Sequence, residues 1–192
     1  MGIIGSSLGA EGALLTASIF PTFKAVVSFV GTHVAWQYSE LGMKDTIPYS
    51  HWSYKGKSIP FVPLKLTKEI YQNGLKTGAW GQMFENSLKD EKAVERALIP
   101  VEKINAPILL FSGRDDNVWP SAAMSDAIIE RLRKYNYSYE YRHVSYPETG
   151  HTLFVAKDGK TGGGTGRGAQ YADEDSQKQL LSFLDKYLKV KN

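Results

Sequence analysis

The sequence predicts an α/β fold in which a mostly parallel sheet is flanked by helices, and three observations predict it. A short apolar run, Gly2-Ile3-Ile4, passes through Gly5-Ser6-Ser7-Leu8-Gly9 directly into the helix-like stretch Ala10 to Ser18. A continuous apolar run, Ala106-Pro107-Ile108-Leu109-Leu110-Phe111-Ser112-Gly113, has the composition of a strand buried on both faces. Strand-like and helix-like segments alternate along the chain, as they do where helices connect parallel strands. With 192 residues and 42% hydrophobic content, the chain can bury one core, so residues 1–192 read as a single domain.

Each element follows from its pattern. The first strand ends at a sharp turn whose two glycines, Gly5 and Gly9, let strand and helix approach closely, and the helix runs to Phe20. Ala25 to Gly31 is the next strand. Residues 32–105 then form a long excursion, read as a lid or insertion carrying Trp36, Tyr38, Trp52, Tyr54, Phe61, Tyr71, Trp80 and Phe84. Such a segment either walls an apolar pocket or packs on itself as a satellite core, and the two weigh equally. After the strand at Pro107, Ser121 to Tyr135 places Met124, Ile128, Ile129 and Leu132 at helical spacing. Tyr139 to Tyr146 alternates as a strand, and Asp175 to Leu188 is a final helix with Leu180, Leu181, Leu184 and Leu188 on one face. Between them, Lys157 to Gly168 reads as a flexible, glycine-rich loop able to gate the residues beside it. Its Gly159-Lys160-Thr161 lacks the first glycine of a phosphate loop, and Gly164 to Ala169 lacks the strand that delivers a dinucleotide turn.

The order strand, G-x-S-x-G, helix is that of an α/β-hydrolase elbow, which lifts a serine above the end of a sheet. Ser7 is therefore the candidate nucleophile. That fold needs an acid and then a histidine further along the chain. Asp115 and Asp116 follow the best strand, and Asp116 is preferred because Gly113, Asp116 and Pro120 match the pattern of such an acid turn. Of four histidines, His151 hangs in the glycine-bearing loop after the strand ending at Tyr146, and is the candidate base. His143 reads as a strand surface residue, and His51 as an aromatic packing contact. His33, at a strand's carboxyl end, and Trp119, beside the acid, are candidates for lining the pocket.

These segments together resemble one family, the C-terminal domain shared by acyl-CoA thioesterases and bile acid-CoA:amino acid N-acyltransferases. The resemblance rests on residues 2–10, on Ile99-Pro100-Val101-Glu102-Lys103-Ile104 leading to Pro107-Ile108-Leu109-Leu110, on residues 112–119 and on Tyr146-Pro147-Glu148-Thr149-Gly150-His151. The late run Asp175 to Leu184 is similar to the family's final helix. Membership implies a nucleophile at Ser7, an acid at Asp116 and a base at His151. It also implies an acyl-CoA substrate, a role in fatty acid metabolism, and no cofactor or metal. Serine rather than cysteine implies hydrolysis, because an acyl-cysteine yields readily to an amine whereas an acyl-serine awaits activated water. The Leu8 N–H is the expected oxyanion donor, with a second from a loop after an early strand. Complete members carry a β-sandwich and the first strands of the sheet before the elbow, so a partial α/β-hydrolase fold lacking the early strands is expected. The alternatives are a carboxylesterase or dienelactone-hydrolase-like enzyme, and a fragment acting as an oligomerising or binding module.

A net charge of +3 is too mild to argue for nucleic acid, and Lys55, Lys57, Lys65 and Lys68 read as a solvated surface. The absence of cysteine removes disulfides and thiolate metal sites and fits a reducing compartment. The apolar start has no basic flank and is interrupted by Glu11, so no leader and no membrane span are expected, and a cytoplasmic location is. Met1-Gly2-Ile3-Ile4-Gly5-Ser6 fits an acylation pattern, but strand and elbow claim the same residues. An exposed edge at Gly2 to Gly5 is expected to drive self-association.

Overall fold

The computed structural model describes residues 1–38, 48–154 and 161–189. Along the chain run β1 (Ile3–Ser6), α1 (Leu8–Ile19), β2 (Val26–Phe29), β3 (Ser53–Tyr54), β4 (Lys57–Ser58), α2 (Lys68–Thr77), α3 (Gly81–Leu88) and α4 (Glu91–Ala97). After a 3-10 turn at Val101–Lys103 come β5 (Ile108–Gly113), α5 (Ser121–Lys134), β6 (Tyr141–Tyr146) and α6 (Gly166–Leu188). The main sheet has the order β1-β2-β5-β6 and every pair is parallel, with Ile3 beside Val26, Val26 beside Ile108 and Ile108 beside Tyr141. The carboxyl ends of all four strands therefore lie at one rim.

Period-two alternation sorts the side chains of β5 into two cores. Ile108 and Leu110 join Leu14 and Leu15 of α1 and Ile128 and Leu132 of α5 on one face. Leu109 and Phe111 join Val27, Tyr146 and, from α6, Ala172 and Phe183 on the other. All six residues of β5 are buried, which explains the unbroken apolar run. Each such Leu, Ile or Phe contributes about 1.5–3 kcal/mol by leaving water.

The final helix is longer than its apolar stripe predicts, starting at Gly166 rather than Asp175. Thr165 caps it by accepting the Gly168 N–H at 3.0 Å, and Thr165 N–H donates to Glu148 O at 2.8 Å. The reading of this stretch as flexible is thus corrected for residues 161–168. A good cap and buried Ala169 and Ala172 outweigh the poor helix propensity of its glycines. Gly159 and Lys160 lie outside the described residues.

Within 32–105 the aromatic residues divide between two environments. Val34, Trp36, Val62 and Ala97 form a third core cluster with Trp119 and Met124, against which Phe84 packs. Trp36, Trp80 and Phe84 also line a cavity beside Ser7. Among the described residues no helix is long and apolar enough to cross a membrane.

Candidate active site

The elbow is built from backbone geometry first. Ser7 sits at φ 55° and ψ −124°, between the last residue of β1 and the first of α1. A non-glycine residue there costs on the order of 1–3 kcal/mol and persists because its surroundings impose it. Ser7 N–H donates to Phe29 O at 2.9 Å, and Ser7 O accepts Ala10 N–H at 2.9 Å. Of the two motif glycines, only Gly5 answers to close approach. A Cβ on Gly5 would lie 2.0 Å from Gly9 O, whereas one on Gly9 would meet nothing within 4 Å. Gly9 supplies the crowding oxygen while its own α-carbon faces open space.

Asp116 stands in the turn after β5. Its Oδ1 accepts the N–H groups of Val118 and Trp119 at 3.0 and 3.2 Å, which fixes the rotamer and aims Oδ2 at His151 Nδ1, 2.9 Å away. The Asp116 side chain is 1% exposed and that of His151 is 14% exposed. His151 Nε2 lies 2.8 Å from Ser7 Oγ. With Nδ1–H donating to the carboxylate, Nε2 is left as acceptor for the serine hydroxyl. Asp115 is exposed, and its N–H donates to Thr149 O. The acid and histidine loops share one partner, since Asn117 N–H and His151 N–H both donate to Gly162 O, at 3.0 and 3.1 Å.

The structure separates the two pocket candidates. Trp119 lines the cavity beside Ser7, its indole N–H donates to Val30 O at 2.9 Å, and its ring meets His151 edge-on at 5.6 Å. His33 does not reach that cavity. After β2 the chain turns sharply at Val30 (φ 44°), and His33 O accepts Ile99 N–H, which carries the side chain to a different cavity lined by Ile99 and α5. Burial pushes the His33 imidazole down to about 4. The Ser7 cavity, of about 210 Å³, includes His51, Gln37, Leu64 and Met83, none of which the sequence marks as pocket residues. His51 does make the expected ring contact, at 5.1 Å from Tyr38.

A second Ser, His, Asp constellation crosses the sheet at β6. His143 Nε2 is 2.7 Å from Ser112 Oγ, and Nδ1 is 2.9 Å from Asp126 Oδ1. His143 is thus no surface residue, and its side chain is 7% exposed. Access is inverted relative to the first set, because Ser112 is wholly buried while the Asp126 side chain is 68% exposed. A serine sealed inside the sheet cannot meet a substrate. Burial holds His143 below its usual range against the opposing pull of Asp126.

Glu11, one helical turn beyond Ser7, is fully buried. Its Oε1 accepts Trp36 N–H at 3.1 Å and the Trp52 indole N–H at 2.9 Å, while Oε2 is buried without a partner. Desolvation pushes the carboxyl up to about 8, against the opposing effect of those two donors. An acid whose folded pKa is raised adds stability that is complete below the unfolded value of 4.5 and is lost as pH rises through about 8. The loss is on the order of 5 kcal/mol. Glu11→Gln is therefore expected to melt higher than the parent at pH 8.5, with the gain vanishing towards pH 5. His33 works the other way, losing its contribution as pH falls from 6.5 towards 4, but it is common to both proteins and cancels. A difference in melting temperature that does not change with pH would refute the raised carboxyl.

Residues 1–190 match the family described as BAAT / Acyl-CoA thioester hydrolase C terminal. The chain is 25% identical to the peroxisomal succinyl-coenzyme A thioesterase of Mus musculus, covering 98% of this chain and 44% of that protein. It is 26% identical to acyl-coenzyme A thioesterase 1 of Homo sapiens over the same shares. The chain thus spans less than half the length of these relatives. Among solved structures it is similar to an acylaminoacyl peptidase in complex with a chloromethyl ketone, with TM-score 0.57 and 15% identity, covering 100% of this chain and 24% of that one. A dienelactone hydrolase from Klebsiella pneumoniae gives TM-score 0.50 and 17% identity, covering 96% and 51%. These likenesses establish the α/β-hydrolase fold, a parallel sheet flanked by helices.

Proposed function

Because the chain belongs to the BAAT / acyl-CoA thioester hydrolase C-terminal family, we propose that it hydrolyses acyl-CoA thioesters through an acyl-serine intermediate. The observation that carries the reading is the continuous hydrogen-bonded line from Ser7 Oγ through His151 to Asp116, opening on an apolar cavity. Ser7 Oγ attacks the thioester carbonyl as His151 Nε2 takes its proton. Asp116 holds the ring and stabilises the imidazolium. The proton then passes to the departing sulfur, and the same nitrogen activates water to cleave the acyl-serine. Leu8 is the first residue of α1, so its N–H is among those a helix leaves without an internal partner, and it faces the forming oxyanion. The acyl chain lies between Trp36, Trp80, Phe84 and Trp119.

The test is a comparison of kcat/KM for an acyl-CoA and an oxygen ester of the same acyl group. Preference for the thioester supports the reading. Preference for the oxygen ester would make the protein a carboxylesterase, and turnover of neither would leave a binding module.

Among the described strands β1 pairs on one side only, with β2, and Ile4 on it is 48% exposed. An unpaired edge of this kind templates association. We expect self-association, seen as a shift to dimer or larger species in size-exclusion chromatography with light scattering as concentration rises. A monomer at all concentrations would count against it.

A further inference from the structure

We propose that Glu11 is a positioning residue for the acyl pocket. From the nucleophile helix it grips the pocket-wall segment at two points, the Trp36 backbone N–H and the Trp52 indole N–H, and thereby sets the aromatic wall facing Ser7. The inference rests on the acyl-pocket reading given above.

A carboxyl is costly to bury unless hydrogen-bonded, and this is the only charged side chain of α1. Its two donors come from residues 16 positions apart in sequence, so one oxygen ties two limbs of the segment to one helix. Trp52 is docked there closely, since a Cβ on Gly12 would lie 2.6 Å from its ring. Trp36 carries the restraint onward. Its ring packs edge-on against Phe84 at 4.8 Å, and Phe84 against Trp119 at 5.4 Å, all three lining the Ser7 cavity. Glu11 touches no reacting atom in this chain of contacts. It acts through Trp36 and Trp52, and releasing it frees the wall while leaving the line from Ser7 to Asp116 in place. Its second oxygen, buried and unpartnered, contributes nothing to the grip. A glutamine carbonyl can therefore replace the whole function.

The test uses the full chain and two fluorophosphonates, one with a small alkyl group and one with a long alkyl chain, reading the rate of Ser7 modification by intact mass. In Glu11→Ala the long-to-small rate ratio is expected to fall about tenfold, because only the long probe depends on the wall. Glu11→Gln should restore the ratio to within about twofold of the parent. Trp52→Phe, which removes one donor from outside the cavity lining, should lower it about threefold. With an acyl-CoA, Glu11→Ala should raise KM about tenfold while kcat changes less than about threefold. An unchanged ratio in Glu11→Ala and Trp52→Phe would overturn the proposal. If Glu11→Ala does not fold, Trp52→Phe decides alone by the same criterion. Failure of the parent to turn over acyl-CoA would sink the thioesterase reading only, since probe ratios report the wall without turnover.

Discussion

Replacing Ser7 with alanine is expected to lower kcat for thioester hydrolysis by about four orders of magnitude or more and to abolish fluorophosphonate labelling. In the proposed mechanism Ser7 Oγ supplies the bond to the acyl group, and no other described hydroxyl lies within hydrogen-bond reach of His151 Nε2. The fold should be indifferent to the change. Alanine and serine pay a similar cost at φ 55°, and the His151 ring, its side chain 14% exposed, keeps its hydrogen bond to Asp116. A thermal melt within a degree or two of the parent is the control. Asp116→Asn is expected to cost about 10⁴ in kcat, because an amide donating to Nδ1 reverses the tautomer and leaves Nε2 unable to accept the serine proton. Retained labelling or retained turnover in Ser7→Ala would remove Ser7 from the mechanism.

Gly5→Ala is expected to unfold the elbow, and with it most of the protein, whereas Gly9→Ala is expected to be tolerated. The added methyl at Gly5 meets the Gly9 carbonyl oxygen at 2.0 Å, the Gly9 carbonyl carbon at 2.3 Å and Ala10 N at 2.6 Å. All three are backbone atoms in the first turn of α1, so relief requires moving the helix off β1. Overpacking of this kind costs at least about 1–3 kcal/mol even where side chains can yield, and more where backbone must. Against a typical domain stability of about 5–15 kcal/mol, the loss is severe. At Gly9 the same methyl enters open space, and the helix gains up to about 1 kcal/mol from the better helix former. Urea denaturation of the two variants checks both signs. Equal midpoints would show that Gly5 carries no such constraint.

Much of this architecture was legible because its signals are local. The run from Ile108 to Phe111 could only be a strand buried on both faces, and β6 and α5 follow from two simple periodicities. The elbow and the two later loops were readable because each candidate residue stands at a strand's carboxyl end. What escaped had no local signature. The first turns of α6 were hidden in glycines whose fate depends on the Thr165 cap and on Glu148 across a loop. His143 gave no hint of Ser112 and Asp126, which reach it from a neighbouring strand and a helix. His33 was misplaced because a single left-handed residue, Val30, redirects the chain. Glu11 showed in the sequence only as a break in an apolar stretch. Its partners lie 25 and 41 residues away, so nothing short of the folded chain could reveal them.

The carbonyl of Gly162 receives a hydrogen bond from Asn117 and another from His151. The turn after β5 and the loop that carries His151 are therefore not independent suspensions that happen to meet. Their backbones hang from a common hinge pin, and a rotation of that one peptide plane would loosen both loops at once, while the Asp116 carboxylate would still be gripped by the N–H groups of Val118 and Trp119.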